Sequence, residues 1–257
     1  MSKQQTQLND KRIVEVLNFL RDVDSVELKL TVPDSDGDSV IRALDLDVLD
    51  AEFRQIIFFD TPDLKLNRSG VVVRARRARR GADTVVKLRP VVPASLPDKL
   101  RRSSTFTIEI DAMPGAHVCS GSLKGKGDNT DVKEVLMGKQ PNRKLFLPEQ
   151  RSLYKKHAPR GLDLDSLRPL GPINIAKLKF SAEMFKARGA VAELWFYPDA
   201  SRILELSTRC APDEAFQVLA EAWAFLTRRG ISLTGEQQTK TRRALAYFSR
   251  LEPGRRK

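Results

Sequence analysis

S-V-E-L-K-L-T-V, residues 25 to 32, sets Val26, Leu28, Leu30 and Val32 on one side of an extended chain and Ser25, Glu27, Lys29 and Thr31 on the other. Strict alternation is the period of a half-buried strand, because successive side chains of extended backbone point to opposite faces. The pattern recurs outward from this segment. G-V-V-V-R-A-R (70–76) places Arg74 and Arg76 on one face, and T-V-V-K-L-R (84–89) places Lys87 and Arg89 opposite Val86 and Leu88. F-T-I-E-I-D (106–111) sets Glu109 and Asp111 against Phe106, Ile108 and Ile110, and I-A-K-L-K-F (175–180) sets Lys177 and Lys179 against Ala176, Leu178 and Phe180. In A-E-L-W-F (192–196) Glu193 opposes Leu194 and Phe196; in I-L-E-L-S (203–207) Glu205 opposes Leu204 and Leu206, with Ser207 on the polar side.

An antiparallel sheet with one wet face alternates in this way, which is the plain reading. The sharper one rests on what the polar side carries: seven Lys or Arg and five Asp or Glu over seven segments, where sheet faces usually mix in Thr, Ser and Gln. If the strands close into a barrel with helices packed outside, the apolar faces turn outward to those helices and the charges line the bore. Such a bore would bind a polyanion and a divalent metal together, since Arg and Lys neutralise phosphate oxygens while carboxylates hold a hard cation.

Around the strands, Ile13, Val16, Leu17 and Leu20 predict an amphipathic helix over Asp10 to Arg21. The Gly- and Lys-rich stretch from Pro114 to Asp131 reads as a long mobile loop, followed by a helical excursion to about Lys156. Phe216, Leu219, Ala220, Trp223 and Leu226 predict a helix ending at Arg228-Arg229-Gly230, and a last helix runs from Thr234 to about Leu251. The expected organisation is a disordered tail over 1–9, one domain over 10–251 with residues 114–156 as its loop and helical excursion, and a basic tail over 252–257. G-S-L-K-G-K-G at 121–127 is one residue short of a P-loop before Gly-Lys and lacks the following Ser or Thr, so no phosphate loop is expected there. Arg77, Arg79 and Arg80 read as a solvated hairpin end.

The chain has 257 residues and a formal net charge of +12. No apolar run approaches the roughly 20 residues of a bilayer span, and the N-terminus M-S-K-Q-Q-T-Q-L-N-D has no secretory pattern, so a cytoplasmic protein is expected. Two cysteines and two histidines exclude a disulfide framework and a Cys/His zinc site; a metal would be held by oxygen, which points to Mg²⁺ or Mn²⁺. The basic surplus suits nucleic acid, an acidic membrane face or a phosphate-rich small molecule. Nucleic acid is disfavoured, because aromatics are only 7% and the basic positions alternate with core residues.

Taken in order, these residues resemble the CYTH superfamily, the triphosphate tunnel metalloenzymes, which include inorganic triphosphatases, thiamine triphosphatases and class IV adenylate cyclases. The most specific piece is F-F-D-T-P-D-L-K-L-N-R-S-G-V-V-V-R-A-R at 58–76, and the likeness extends from Ser25 to Tyr247. It implies an α+β fold, an eight-stranded antiparallel β-barrel with helices outside, whose tunnel binds a triphosphate and one or two divalent ions. By the resemblance Glu27, Glu109, Asp111, Glu193 and Glu205 are metal-associated, and Lys87, Arg89, Lys177, Lys179 and the helical Lys240 bind substrate. Glu27, Lys29, Arg74 and Arg76 carry the chemistry, with no nucleophilic side chain. Two positions depart from the pattern: Ser25 stands where the opening motif has its first Glu, and Ser207 where the late Glu-x-Glu has its second.

The expected function is therefore metal-dependent hydrolysis of a linear triphosphate, inorganic or organic. The alternatives are a tunnel that holds polyphosphate or a phosphorylated metabolite without turning it over, and a class IV cyclase-like activity. The expected partner is that small molecule or polyphosphate, with no membrane contact; the sequence leaves oligomeric state open.

Overall fold

Alternating segments pair edge to edge until the sheet closes on itself. The computed structural model describes residues 20–32, 36–180, 189–232, 237 and 240–250. Its strands are β1 (Ser25–Val32), β2 (Glu52–Asp60), β3 (Val71–Ala78), β4 (Gly81–Leu88), β5 (Phe106–Met113), β6 (Ala116–Gly127), β7 (Arg168–Phe180), β8 (Ala190–Phe196) and β9 (Arg202–Cys210). The helices are α1 (Gly37–Ala43), α2 (Lys65–Arg68), α3 (Asp98–Arg101), α4 (Asn129–Leu136), α5 (Pro148–His157), α6 (Ala215–Arg228) and α7 (Lys240–Arg250). The barrel closes in the order β1-β5-β6-β4-β3-β2-β7-β8-β9. The expected helix over Asp10 to Arg21, the start of the last helix at Thr234 and both tails lie wholly or almost wholly outside the described residues.

The expected eight antiparallel strands are thus nine in a mixed barrel. In a ring where every neighbour is antiparallel the directions alternate, so the count must be even. A ninth strand forces a parallel pair, and that pair is β1 with β5, in the register Ser25↔Glu109 and Glu27↔Asp111. All other neighbours are antiparallel.

The most substantial correction is β6. The stretch expected to be a mobile loop from Pro114 is a twelve-residue strand hydrogen-bonded to both β5 and β4. Its glycines mark close approach. A Cβ on Gly121 would sit 2.3 Å from Phe106 Cζ, and one on Gly125 2.6 Å from Gln150 Oε1. Gln150 in α5 fills that space, accepting from the Thr84 hydroxyl at 3.0 Å and donating to the carbonyls of Thr84 and Leu123 at 3.1 Å each. The helical excursion that follows is present as α4 and α5.

Apolar side chains fall into three groups. One lies between the barrel's outer face and α4 and α5, with Ile57, Phe59, Val73, Val86, Val132, Val135 and Leu153. A second lies under α1 and α6, with Leu30, Val32, Val40, Leu204 and Phe225. Here α6 sits where its pattern predicts, but Phe216, Leu219 and Trp223 are exposed, and Phe225 makes the contact together with the predicted Leu226. The third group faces inward: Ile56, Phe58, Val72, Ile173, Ile175, Trp195, Tyr197 and Ile203 meet Ala244 and Leu245 of α7. So β2 is buried on both faces, which explains its unbroken run I-I-F-F. One part of the bore is apolar and covered by α7, leaving the charges in the remainder.

The F-F-D-T-P-D segment shapes the exit of β2. Asp60, 2% exposed, accepts from the backbone N–H groups of Thr61 (2.7 Å), Leu66 (2.9 Å) and Asn67 (3.0 Å), so it fixes the turn into α2 rather than holding a ligand. Among the described residues no helix is long and apolar enough to cross a membrane.

Candidate functional site

The parallel β1–β5 pair determines the site. Register sets Glu27 beside Asp111 and Ser25 beside Glu109, and oxygens of Glu27, Glu109 and Asp111 converge within 4.8 Å of one another. Lys29 Nζ lies 2.6 Å from Asp111 Oδ1 and 3.0 Å from Glu27 Oε2. From β4, Lys87 Nζ lies 3.0 Å from Glu109 Oε1, and just beyond the strand Arg89 Nη2 lies 3.0 Å from Asp111 Oδ2 without hydrogen-bonding alignment. From β9, Arg209 Nη2 lies 2.8 Å from Glu109 Oε2 and 3.6 Å from Glu27 Oε2.

Burial would push the Asp111 carboxyl up, but Lys29, Lys87 and Arg89 outweigh it and hold it far below the usual range. Lys29 is the mirror case: burial would lower it, yet Glu27, Asp111 and Glu205 raise it well above an ordinary lysine. Lys87 goes the other way. Burial dominates and lowers it, despite Asp111 and Glu109.

A second group lies deeper, next to the apolar plug. Glu193 on β8 is paired in register with Glu205 on β9 and with Lys177 on β7. Lys240 of α7 reaches between the two carboxylates, bonded to Glu193 and 2.6 Å from Glu205 Oε1, with its Nζ 5.1 Å from the centre of the Trp195 ring. Trp195 donates to Glu193 at 3.3 Å and is 2% exposed, which makes it part of the plug. Burial opposes ionisation of Glu193, but Lys240 and the Trp195 donor hold its pKa down to about 2; for Glu205 burial prevails and raises it.

On the facing wall, Arg76 is paired with Asp83 at 2.6 Å. Arg74 and Lys177 have no carboxylate within ion-pairing distance among the described residues, and the Arg74 Nε has no hydrogen-bond partner. Burial, with Arg76 close by, pushes Arg74 below the usual guanidinium range, and burial lowers Lys177 as well. Lys179 is exposed, at the rim.

The structure therefore brings the sequence-predicted residues into two clusters and a cationic wall. Sequence reasoning missed five members. Arg209 and Asp83 only required the alternation of β9 and β4 to be followed two residues further. Arg54 of β2, paired with Glu52 at 2.6 Å, was hidden by the apolar run that follows it. Lys124 and Lys126 were hidden by the loop reading of β6: opposite Val85 and Asp83 in register, they stand on the bore side and are exposed at its rim. Arg79 and Arg80 are exposed in the turn between β3 and β4, as expected, whereas Arg77 lies within β3, half-buried and donating to Gln55 at 3.2 Å.

The donor set of Glu27, Glu109 and Asp111 is all carboxylate oxygen, and its span fits one hard divalent cation. Glu193 and Glu205 do not fit a second in the same way, because they offer two carboxylates rather than three, with Lys240 between them.

No protein-family model matches the chain, and no curated protein sequence does. Solved structures do. A candidate adenylate cyclase from Bacillus halodurans superposes with a TM-score of 0.60 at 14% identity, covering 86% of this chain and 97% of that one. HpAC1 from Hippeastrum, a candidate adenylyl cyclase with a dominant triphosphatase activity, gives a TM-score of 0.60 at 17% identity over 88% of this chain and 97% of its own. At these identities the likeness is one of fold alone: a closed barrel with helices packed around it.

Proposed function

We propose that the bore binds a linear triphosphate and hydrolyses it with a divalent cation. The observation that carries this reading is Arg74. An enclosed guanidinium without an ion-pair partner is expensive, and here it stands beside Arg76, which also repels the unpaired Lys177. Chains of phosphate oxygens would neutralise all three, and Lys124, Lys126, Lys179 and Arg209 at the rim would draw a polyanion in.

Glu27, Glu109 and Asp111 would hold Mg²⁺ or Mn²⁺, which supplies charge neutralisation at the phosphoryl group under attack. Arg74, Arg76 and Lys177 would fix the phosphate oxygens from the opposite wall and stabilise the charge that spreads over them during in-line transfer to water. Lys29 and Lys87, each bonded to the carboxylate cluster, would orient those carboxylates and meet the nearer phosphate. Both bore-lining serines favour a second reading, binding without turnover, since each stands where the resemblance places a carboxylate.

Phosphate release from tripolyphosphate, ATP, thiamine triphosphate and pyrophosphate, with and without Mn²⁺, tests the proposal, with cyclic AMP measured in the ATP arm. Metal-dependent release from a triphosphate is expected. Tight binding of tripolyphosphate with no release from any substrate would establish the second reading, and cyclic AMP formation the cyclase.

A further inference from the structure

Four cations contact the three converging carboxylates, and they are not equivalent. The side chains of Lys29, Lys87 and Arg89 are 16%, 15% and 14% exposed, whereas that of Arg209 is 43% exposed. Arg209 is the next-to-last residue of β9, at the open end of the strand, and its guanidinium spans two of the three carboxylates. Glu109 Oε2 is held by Arg209, while Lys87 holds the other oxygen, Oε1. With its guanidinium side open to solvent, while Lys87 still holds Glu109, this pair is cheaper to break than those whose partners are both enclosed.

We infer that Arg209 is an internal counter-ion that makes metal binding conditional on the polyanion. This rests on the triphosphate reading above. Without ligand, the guanidinium covers oxygens of Glu109 and Glu27, where it repels an arriving dication. A polyphosphate entering the bore offers Arg209 a stronger partner, and the side chain swings from the carboxylates to the phosphate. The carboxylates are then uncovered beside the bound anion. By linkage the two ligands strengthen each other, and part of that coupling passes through this one side chain. The bore would then take up the metal together with its substrate rather than hold it at rest.

Calorimetric titration of the full chain with Mn²⁺ alone tests the inference. Arg209→Gln should bind Mn²⁺ on the order of tenfold more tightly than the natural protein, because one positive charge a few ångströms from the ion is gone. Arg79→Gln removes the same charge from the exposed turn between β3 and β4 and should change the affinity less than about twofold. Damage to the site would lower metal affinity, so a gain cannot come from misfolding. If Arg209→Gln binds Mn²⁺ no more tightly than the natural protein, or if Arg79→Gln gains equally, the inference is overturned. A parallel melt of the natural protein with tripolyphosphate in EDTA separates the two levels of argument. Stabilisation with no Arg209 effect sinks only the counter-ion role, and absence of stabilisation sinks the triphosphate reading itself.

Discussion

Arg74 and Lys87 are both enclosed bore cations, yet they should respond to removal with opposite signs. Lys87 neutralises Glu109 at 3.0 Å and lies 3.9 Å from Asp111, so Lys87→Met leaves buried carboxylates short of a partner. That should cost about 1–3 kcal/mol in the ligand-free protein. Arg74 has no such partner among the described residues; the largest charge influence on it is the repulsive Arg76, set against attraction from Asp83, Glu193 and Glu109. Arg74→Met keeps most of the volume, removes an uncompensated charge and should stabilise the ligand-free protein by about 1–2 kcal/mol. At roughly 2–4 °C per kcal/mol for a chain of this size, the two melting temperatures should move apart by several degrees around that of the natural protein.

With tripolyphosphate in EDTA the two variants should agree again. Each loses a charge-assisted bond to phosphate of about 1.5–3 kcal/mol, which is a roughly 10- to 100-fold weaker Kd. Arg79→Ala and Arg80→Ala, in the exposed turn, should stay close to the natural protein in both measurements. Melts with and without the polyanion, followed by calorimetry, are sufficient. If Arg74→Met lowers the melting temperature as Lys87→Met does, Arg74 is compensated in the empty bore and the argument for an anionic ligand loses its foundation. If all four substitutions weaken binding alike, the molecule presents a general basic surface.

Three further outcomes follow from the geometry. The double substitution Ser25→Glu with Ser207→Glu should tighten Mn²⁺ binding and raise phosphate release, while Glu27→Gln should abolish release; a fast natural protein slowed by the added glutamates would show that the serines suit a different substrate. Glu193, held down to about 2 against its usual 4.5, contributes stability that is fully present above 4.5 and lost as the pH falls toward 2, so Glu193→Gln should flatten the acid limb of a stability–pH profile measured by denaturant unfolding. Gly121→Ala should cost about 1–3 kcal/mol because its Cβ meets the Phe106 ring, and Phe106→Leu in the same chain should recover part of the loss; a neutral Gly121→Ala would argue against the β6 packing.

Alternation told which side of each strand faces the bore, because that is a property of one strand at a time. What touches what is a property of register, which no single segment carries. Lys29 and Asp111 are 82 residues apart, and their 2.6 Å contact follows from a parallel pairing that the antiparallel expectation excluded. The β6 reading failed for a related reason. Glycine and lysine disfavour a strand locally, but Gly121 and Gly125 are required by Phe106 and Gln150, which the β5–β6 pairing and the packing of α5 bring near. With β6 misread, Lys124 and Lys126 could not be placed on the bore side.

The serines gain a physical meaning once register is known. Ser25 stands beside Glu109, and Ser207 stands opposite Lys29 between Glu205 and Arg209 on the same face of β9. Leaving aside Arg54, which Glu52 neutralises, the buried and half-buried bore charges among the described residues are Lys29, Arg74, Arg76, Lys87, Arg89, Lys177 and Lys240 against Glu27, Asp83, Glu109, Asp111, Glu193 and Glu205. The balance is slightly positive, and the exposed cations at the rim make it more so. A glutamate at both serine positions would turn the enclosed balance negative, which suits a resident dication better than an incoming phosphate chain. With serine there, the carboxylates that remain are covered by lysine and arginine, and the unpaired charge left over is that of Arg74 and Lys177. On the proposed function this balance would favour the polyanion first and the metal second, an order that a metal titration with and without tripolyphosphate reads directly.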